Sequence, residues 1–503
     1  MKTSFLSKAK KIFEPLDLTT GKPYKQILIF MLPILISYIF QQVYTISDAA
    51  IVGKYLSAPE VSGVNVVYSL IFIVLQFAFG CSSGFSVVSS NFAGEKNEEG
   101  IRKSFATQLL LSLVISIILT ILAVALIPAL LSYIDLKPTD GDYQYAKLYL
   151  LVIYLGLFTQ VFYNLMVSVL RSIGDSLTPL LFLIGSTILN IILDFVCILV
   201  FKWGVGGAAI ATVFSQFVAF IACLIYSLVK YPFFRVKLSD FKMSFRFIYE
   251  HLKLGLPLAF QFSILAIGLI TLEKAMVKFD IGNSAIDGVE IFNCKLAYGA
   301  AVKFNDFLMC PLSALGTACL SYSGQNYGAK DVKRLKDGLK QSLLLMLVIY
   351  LILLVIGVLC SINGAYTSLF LSSDNNNDRV RFYASTYMTI DSCMYLFLGL
   401  LFIGRNYLQG LGKALYPFLA GVCELVARVL IAEFMPTLVD KANPYSDKAY
   451  VAVCFSDSMA WVFAIIVLMI GIYIYIIRGK VFKELEMQKE TYPLNPTKKE
   501  CKN

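Results

Sequence analysis

The chain has 503 residues, of which 58% are hydrophobic and 15% charged, against roughly 25% charged in an ordinary soluble domain. That leaves too little polar surface to cover a soluble core of this size, so a water-soluble globular protein is excluded. The formal net charge is +10; contact with anionic membrane lipids suffices for it, and no nucleic-acid partner is implied. A single histidine, His251, argues against histidine catalysis, haem ligation and zinc sites. The eleven cysteines are scattered singly, mostly in apolar runs, with no Cys-x-x-Cys pair. They read as small reduced hydrophobes, and no cofactor or resident metal is expected.

Residues 1–24 carry Lys2, Lys8, Lys10 and Lys11 and no apolar stretch before Pro23, the composition of a cytoplasmic tail and not of a cleaved signal. Hydropathy, punctuated by Gly, Pro and charge, then predicts spans at 26–51, 63–90, 105–132, 146–170, 178–201 and 206–229. Residues 105–132 hold no charged side chain at all, and about 20 apolar residues cross the bilayer core. A basic linker, 230–251, divides this first lobe (25–229) from a second (252–477). The second is predicted to span at 252–278, 294–322, 341–362, 383–409, 416–438 and 450–477, before a cytoplasmic tail at 478–503. With residues near the span ends counted to the adjoining connector, thirty of the 43 Lys and Arg fall in the two tails and the even-numbered connectors, and ten in the odd-numbered ones. Positive charge gathers on the cytoplasmic side, so both termini are expected there, in a multi-pass plasma-membrane protein acting as a monomer.

The chain repeats itself. VLRSIGDSLTPLLF at 169–182 matches YLQGLGKALYPFLA at 407–420, SSNFAGEKNEEGIRKSF at 89–105 matches YSGQNYGAKDVKRLKDGL at 322–339, and LPILIS at 32–37 matches LPLAFQ at 256–261. The matches pair Gly174 with Gly412, Gly94 with Gly328 and Pro33 with Pro257, in collinear order. Each unit holds six spans, an even number, so the halves share one orientation. Such halves meet at a pseudo-two-fold axis along the membrane normal, with a cavity between them. The expected fold is therefore all-α: twelve transmembrane helices in two six-helix bundles.

LPILISYIFQQVYTISDAAIVGKYLS at 32–57, NFAGEKNEEGIRKSF, RSIGDSLTP, NIILD and ELVARV, in this order across nearly the whole chain, resemble the multidrug and toxic compound extrusion (MATE) family. The resemblance implies a two-lobed transporter expelling cationic or amphipathic small molecules in exchange for H⁺ or Na⁺. It also implies a first-lobe cation site of Asp48, Asn190, Asp194 and Thr212, supported by Tyr44, Tyr149 and Asn164. The family's first helix bends with the protonation of its Asp, which gives Pro33 the role of a kink. The quinolone-exporter branch has second-lobe acids where this chain has Leu265 and Leu398, so the chain resembles the branch that couples through the first lobe.

The residues support that reading independently. Ionised carboxylates cost about 3 kcal/mol even on lenient membrane-insertion scales, so intramembrane acids usually face a cavity and act. Asp48 shares a helix face with Tyr44, and Asp194 with Asn190, each four residues apart. Desolvation and a like charge both favour a protonated carboxyl group, and the oxygen ligands suit Na⁺ equally. The alternative is that both acids are simply solvated near the headgroups, with Asn190 a helix–helix hydrogen bonder. In the second lobe, Glu424 with Arg428 and Lys303 with Asp306 are spaced for intrahelical ion pairs. Glu273 and Asp391 are expected to line the interlobe cavity and attract cationic substrates. Two other functions fit parts of the pattern. A lipid-linked oligosaccharide flippase would need a cationic cavity, for which only Lys303 and Arg428 are candidates. A polytopic membrane transferase would need a His or acidic motif that lone His251 scarcely supplies.

Overall fold

The computed structural model describes residues 14–134, 136–287, 293–372 and 375–491; the lysine-bearing segment 1–13 and the tail beyond 491 lie outside the described residues. Regular structure among the described residues is helical. The first half comprises α1 (Pro23–Tyr55), α2 (Ala58–Gly94), α3 (Glu98–Tyr133), α4 (Tyr143–Leu155), α5 (Leu157–Ser172), α6 (Leu177–Phe195) and α7 (Gly204–Lys230). The second comprises α8 (Phe245–Asp287), α9 (Asn293–Gly328), α10 (Val332–Ser361), α11 (Asp378–Gly410), α12 (Leu415–Val439) and α13 (Asp447–Ile472), with α14 (Lys480–Thr491) following. By length and composition ten helices are able to cross a membrane, and the bent pair α4–α5 makes an eleventh span. At 25 residues, α12 also exceeds the roughly 20 needed.

Two local features depart from the sequence expectation. The span expected at 146–170 is two helices meeting at 47°. Both the amide and the hydroxyl of Thr159 donate to the Gly156 carbonyl, at 3.0 and 2.8 Å, tightening the elbow. A Cβ at 156 would lie 2.3 Å from the Val213 side chain, so glycine lets α7 pack into the bend. Secondly, α8 starts at Phe245, which moves His251 from the linker onto a helix. Phe247 meets Phe92, and Ile248 and Leu252 pack against the core of Cys81, Phe85, Leu111 and Ala259, extending the apolar face upstream. His251 is fully buried there, with Nε2 2.8 Å from Ser104 Oγ and Nδ1 2.9 Å from the Phe247 carbonyl. In α1, Pro33 lies inside the helix, and Ser37 Oγ donates to the Pro33 carbonyl at 2.8 Å.

The repeat is visible in the backbone. Lys96 and Lys330, 234 residues apart, both adopt left-handed φ, 56° and 54°. Each precedes a helix N-cap, Asn97 and Asp331, whose side chain accepts from the third following amide at 2.9 Å. Gly174 and Gly412 likewise share positive φ, 93° and 74°. The halves touch where the repeat predicts an axis. A Cβ on Gly94 would lie 1.8 Å from the Gln325 carbonyl oxygen, and one on Gly328 1.9 Å from that of Asn91. Asn91 and Gln325 are themselves 234 apart, so α2 and α9 meet backbone to backbone about the pseudo-axis. Gly80 and Gly84 let α2 approach the α8 backbone at Leu258–Ala259 and Leu254–Gly255.

A strap of residues 14–22 crosses this packed end. Leu16 donates to the Gly174 carbonyl at 2.9 Å, on the first half. On the second half, Arg334 donates to the carbonyls of Leu18, Thr20 and Gly21 at 2.9, 3.0 and 2.6 Å.

Candidate functional site

Two cavities share walls. One, of about 270 Å³, lies inside the first half among α1, α2, α4, α5, α6 and α7. The other, of about 350 Å³, lies between the halves, lined from α1, α2, α5, α8, α9 and α11. Eight residues, among them Tyr38, Gln41, Tyr68, Phe72, Gln76 and Arg171, line both.

The first cavity gathers most of the residues singled out in the sequence. Tyr44, Asp48, Tyr149, Asn164 and Thr212 line it. Asp48 faces Asp194, with Tyr149 beside them, and Tyr44 lies against Thr212. Asn190 and Asp194 are fully buried on one face of α6. The polar atoms here are poorly satisfied by the protein. Tyr44 Oη, Asp48 Oδ1, both polar atoms of Asn190, both carboxylate oxygens of Asp194 and Thr212 Oγ1 are buried without a hydrogen-bond partner of good geometry. Each such group costs about 1–3 kcal/mol, so a cluster of them favours a proton or a small oxygen-coordinated cation such as Na⁺. Among the described residues no group of three or more His, Cys, Asp or Glu is arranged to hold a metal; Na⁺ would therefore draw on the hydroxyl and amide oxygens as well. Sequence reasoning missed Gln216, whose Oε1 is also unpartnered and which lines the same cavity. The signal was present: Gln216 lies one turn beyond Thr212 on the same face.

The second half carries a buried ionic network. Glu424 does reach Arg428, at 3.3 Å. The shorter contacts run between helices, from Arg405 on α11 to Glu424 at 2.6 Å and from Arg428 to Asp457 on α13 at 2.6 Å. Tyr387 donates to Asp457 at 2.7 Å. Arg405, Glu424, Arg428 and Asp457 are all at most 4% exposed, and a buried charge persists only when paired. Asp391 does not line either cavity. It is fully buried, accepting from Asn305 at 3.2 Å and Ser458 at 3.4 Å, while Tyr395 donates to Asn305. Glu273 is exposed and lines neither cavity. Both placements correct the expectation that these two acids form the cavity wall; neighbouring helices supply Asp391 with partners that α11 alone does not reveal. No ion pair joins Lys303 to Asp306 among the described residues. Lys303 is exposed whereas Asp306 lines the interlobe cavity, and a base placed before its acid is the weaker helical orientation. The interlobe cavity's charged lining is Arg171, Asp306 and Arg405.

Twelve crossings in two pseudo-symmetric halves around a shared cavity define a polytopic membrane transporter. The MatE family model matches residues 33–196 and 297–433, and the chain belongs to this family, the multidrug and toxic compound extrusion transporters. It is 27% identical to the probable multidrug resistance protein YpnP of Bacillus subtilis (strain 168), over 63% of this chain and 68% of that one. It is 25% identical to the multidrug export protein MepA of Staphylococcus saprophyticus, over 79% and 85%. The fold is that of a MOP superfamily transporter from Pyrococcus furiosus, with a TM-score of 0.80 at 20% identity over 94% of this chain and 99% of that one.

Proposed function

We propose that this chain is a secondary active multidrug exporter that antiports amphipathic small molecules against H⁺ or Na⁺, coupled through the first lobe. The observation carrying the proposal is the unpartnered oxygen cluster around Asp48 and Asp194, in a cavity sharing eight wall residues with the interlobe cavity. A cation taken up there alters α1 and α2, which also line the cargo cavity. A ligand shifts a conformational equilibrium by its differential affinity for the two states, and this cluster supplies that difference. Lobes 25–229 and 252–477 would rock about the α2–α9 contact. With both termini cytoplasmic, the packed glycine end faces the cytoplasm and the interlobe cavity is directed outward, poised to release cargo. Asp306, which has no ion-pair partner among the described residues, offers the site for a cationic centre of the cargo.

Everted vesicles loaded with a cationic dye under imposed H⁺ or Na⁺ gradients test this. Asp48→Asn and Asp194→Asn are expected to insert normally and to lose at least tenfold in gradient-driven dye movement. Wild-type rates in both variants would refute coupling through the first lobe.

A further inference from the structure

The two unpaired charges of the interlobe cavity have opposite signs and sit on opposite lobes. Arg171, on α5, is 8% exposed, its Nε has no hydrogen-bond partner, and no ion pair reaches it among the described residues. Its guanidinium lies 5.5 Å from the centre of the Tyr38 ring, and both residues line the cavity. Arg405 is different in kind, because Glu424 neutralises it at 2.6 Å. Asp306 faces the same space from α9.

The repeat shows that neither charge is required by the architecture. Arg171 precedes the left-handed Gly174 by three residues, and the equivalent position before Gly412 is Gln409. The turns are alike: Gly174 donates to the Arg171 carbonyl at 3.1 Å, and Gly412 to that of Gln409 at 2.8 Å. Gln409 is neutral, and its side-chain amide lies 2.9 Å from that of Gln261. By the 234-residue offset that relates α2 to α9, Asp306 stands where the first half has Phe72, also a cavity residue. A neutral amide and a phenyl ring thus perform the structural task in the opposite half. An unpaired buried guanidinium stacked on an aromatic face is suited to a planar anion such as a carboxylate.

We propose that Arg171 binds an anionic group of the cargo, so that the preferred cargo is a zwitterionic amphiphile with its anion on Arg171 and its cationic centre towards Asp306. This rests on the export reading only in calling the ligand a cargo. Binding is measured without a gradient, so failure of ion coupling would leave the result untouched.

Rhodamine B and its ethyl ester share one cationic ring system and differ in a free carboxylate. Titrated by fluorescence anisotropy into the detergent-solubilised full-length protein, rhodamine B is expected to bind at least tenfold more tightly than the ester. Arg171→Gln should bring that ratio close to one and change ester binding by no more than about twofold, which also reports an intact cavity. Arg171→Lys should retain most of the preference, and Asp306→Asn should weaken both dyes. A ratio near one in the wild type, binding of neither dye, or an unchanged ratio in Arg171→Gln would overturn the proposal.

Discussion

Arg428 lies between two carboxylates, Glu424 on its own helix and Asp457 on α13, with 3% of its surface exposed. Replacing it with Met would leave Asp457 buried with only Tyr387 as a partner. Breaking a buried pair in this way typically costs about 3–5 kcal/mol, because the desolvated charge that remains is uncompensated. Arg428→Met is therefore expected to lower the unfolding temperature in detergent markedly, and Arg428→Met combined with Asp457→Asn to recover part of the loss. An unchanged midpoint in the single variant would contradict a structural role for the network. The same residues mark the limit of sequence reading. Glu424 and Arg428 were legible as a pair because i and i+4 share a face, whereas Arg405 and Asp457 join them only through packing between helices. Asp48, Asn190 and Asp194 stood out for the opposite reason, as polar groups in apolar spans, whereas Thr212 was indicated only by the family resemblance. That Gln216 would join them depended on which face α7 turns inward.

The packed end of the molecule depends on two glycines and one strap. A Cβ at Gly94 or Gly328 would overlap a backbone carbonyl of the opposing helix, a contact that backbone cannot relieve by changing rotamer. Gly94→Val and Gly328→Val should force α2 and α9 apart. Spin labels at exposed Glu98 and Lys333 should show a longer distance than in the wild type, and efflux should fall. Arg334 holds three carbonyls of the strap. Charge-assisted hydrogen bonds contribute about 1.5–3 kcal/mol each when buried, and less at this partly exposed site. Arg334→Ala should accelerate amide exchange at residues 16–21, while exchange at α6 and α7 remains as in the wild type. The helices themselves were largely readable from hydropathy, but the elbow at Gly156 was not, since its cause is the close approach of Val213, a contact 57 residues away in the chain.

Across the whole molecule, the duplication builds a symmetric frame, and departures from that symmetry locate its chemistry. Equivalent turns at Lys96 and Lys330 and at Gly174 and Gly412 superimpose the halves in design. The first half leaves its buried oxygens around Asp48 and Asp194 without partners, whereas the second ties its buried Glu424, Asp457 and Asp391 into ion pairs and hydrogen bonds. This contrast between a poorly satisfied site and a well satisfied one is the ground for proposing cation exchange in the first lobe. The most direct measurement is cation flux in proteoliposomes, followed with internal pH- and Na⁺-sensitive dyes while an amphipathic dye is exported. Cargo movement should be accompanied by H⁺ or Na⁺ movement in the opposite direction, and Asp48→Asn with Asp194→Asn should abolish the cation flux while dye binding persists. Cation-coupled export at the wild-type rate in that double variant would contradict the account.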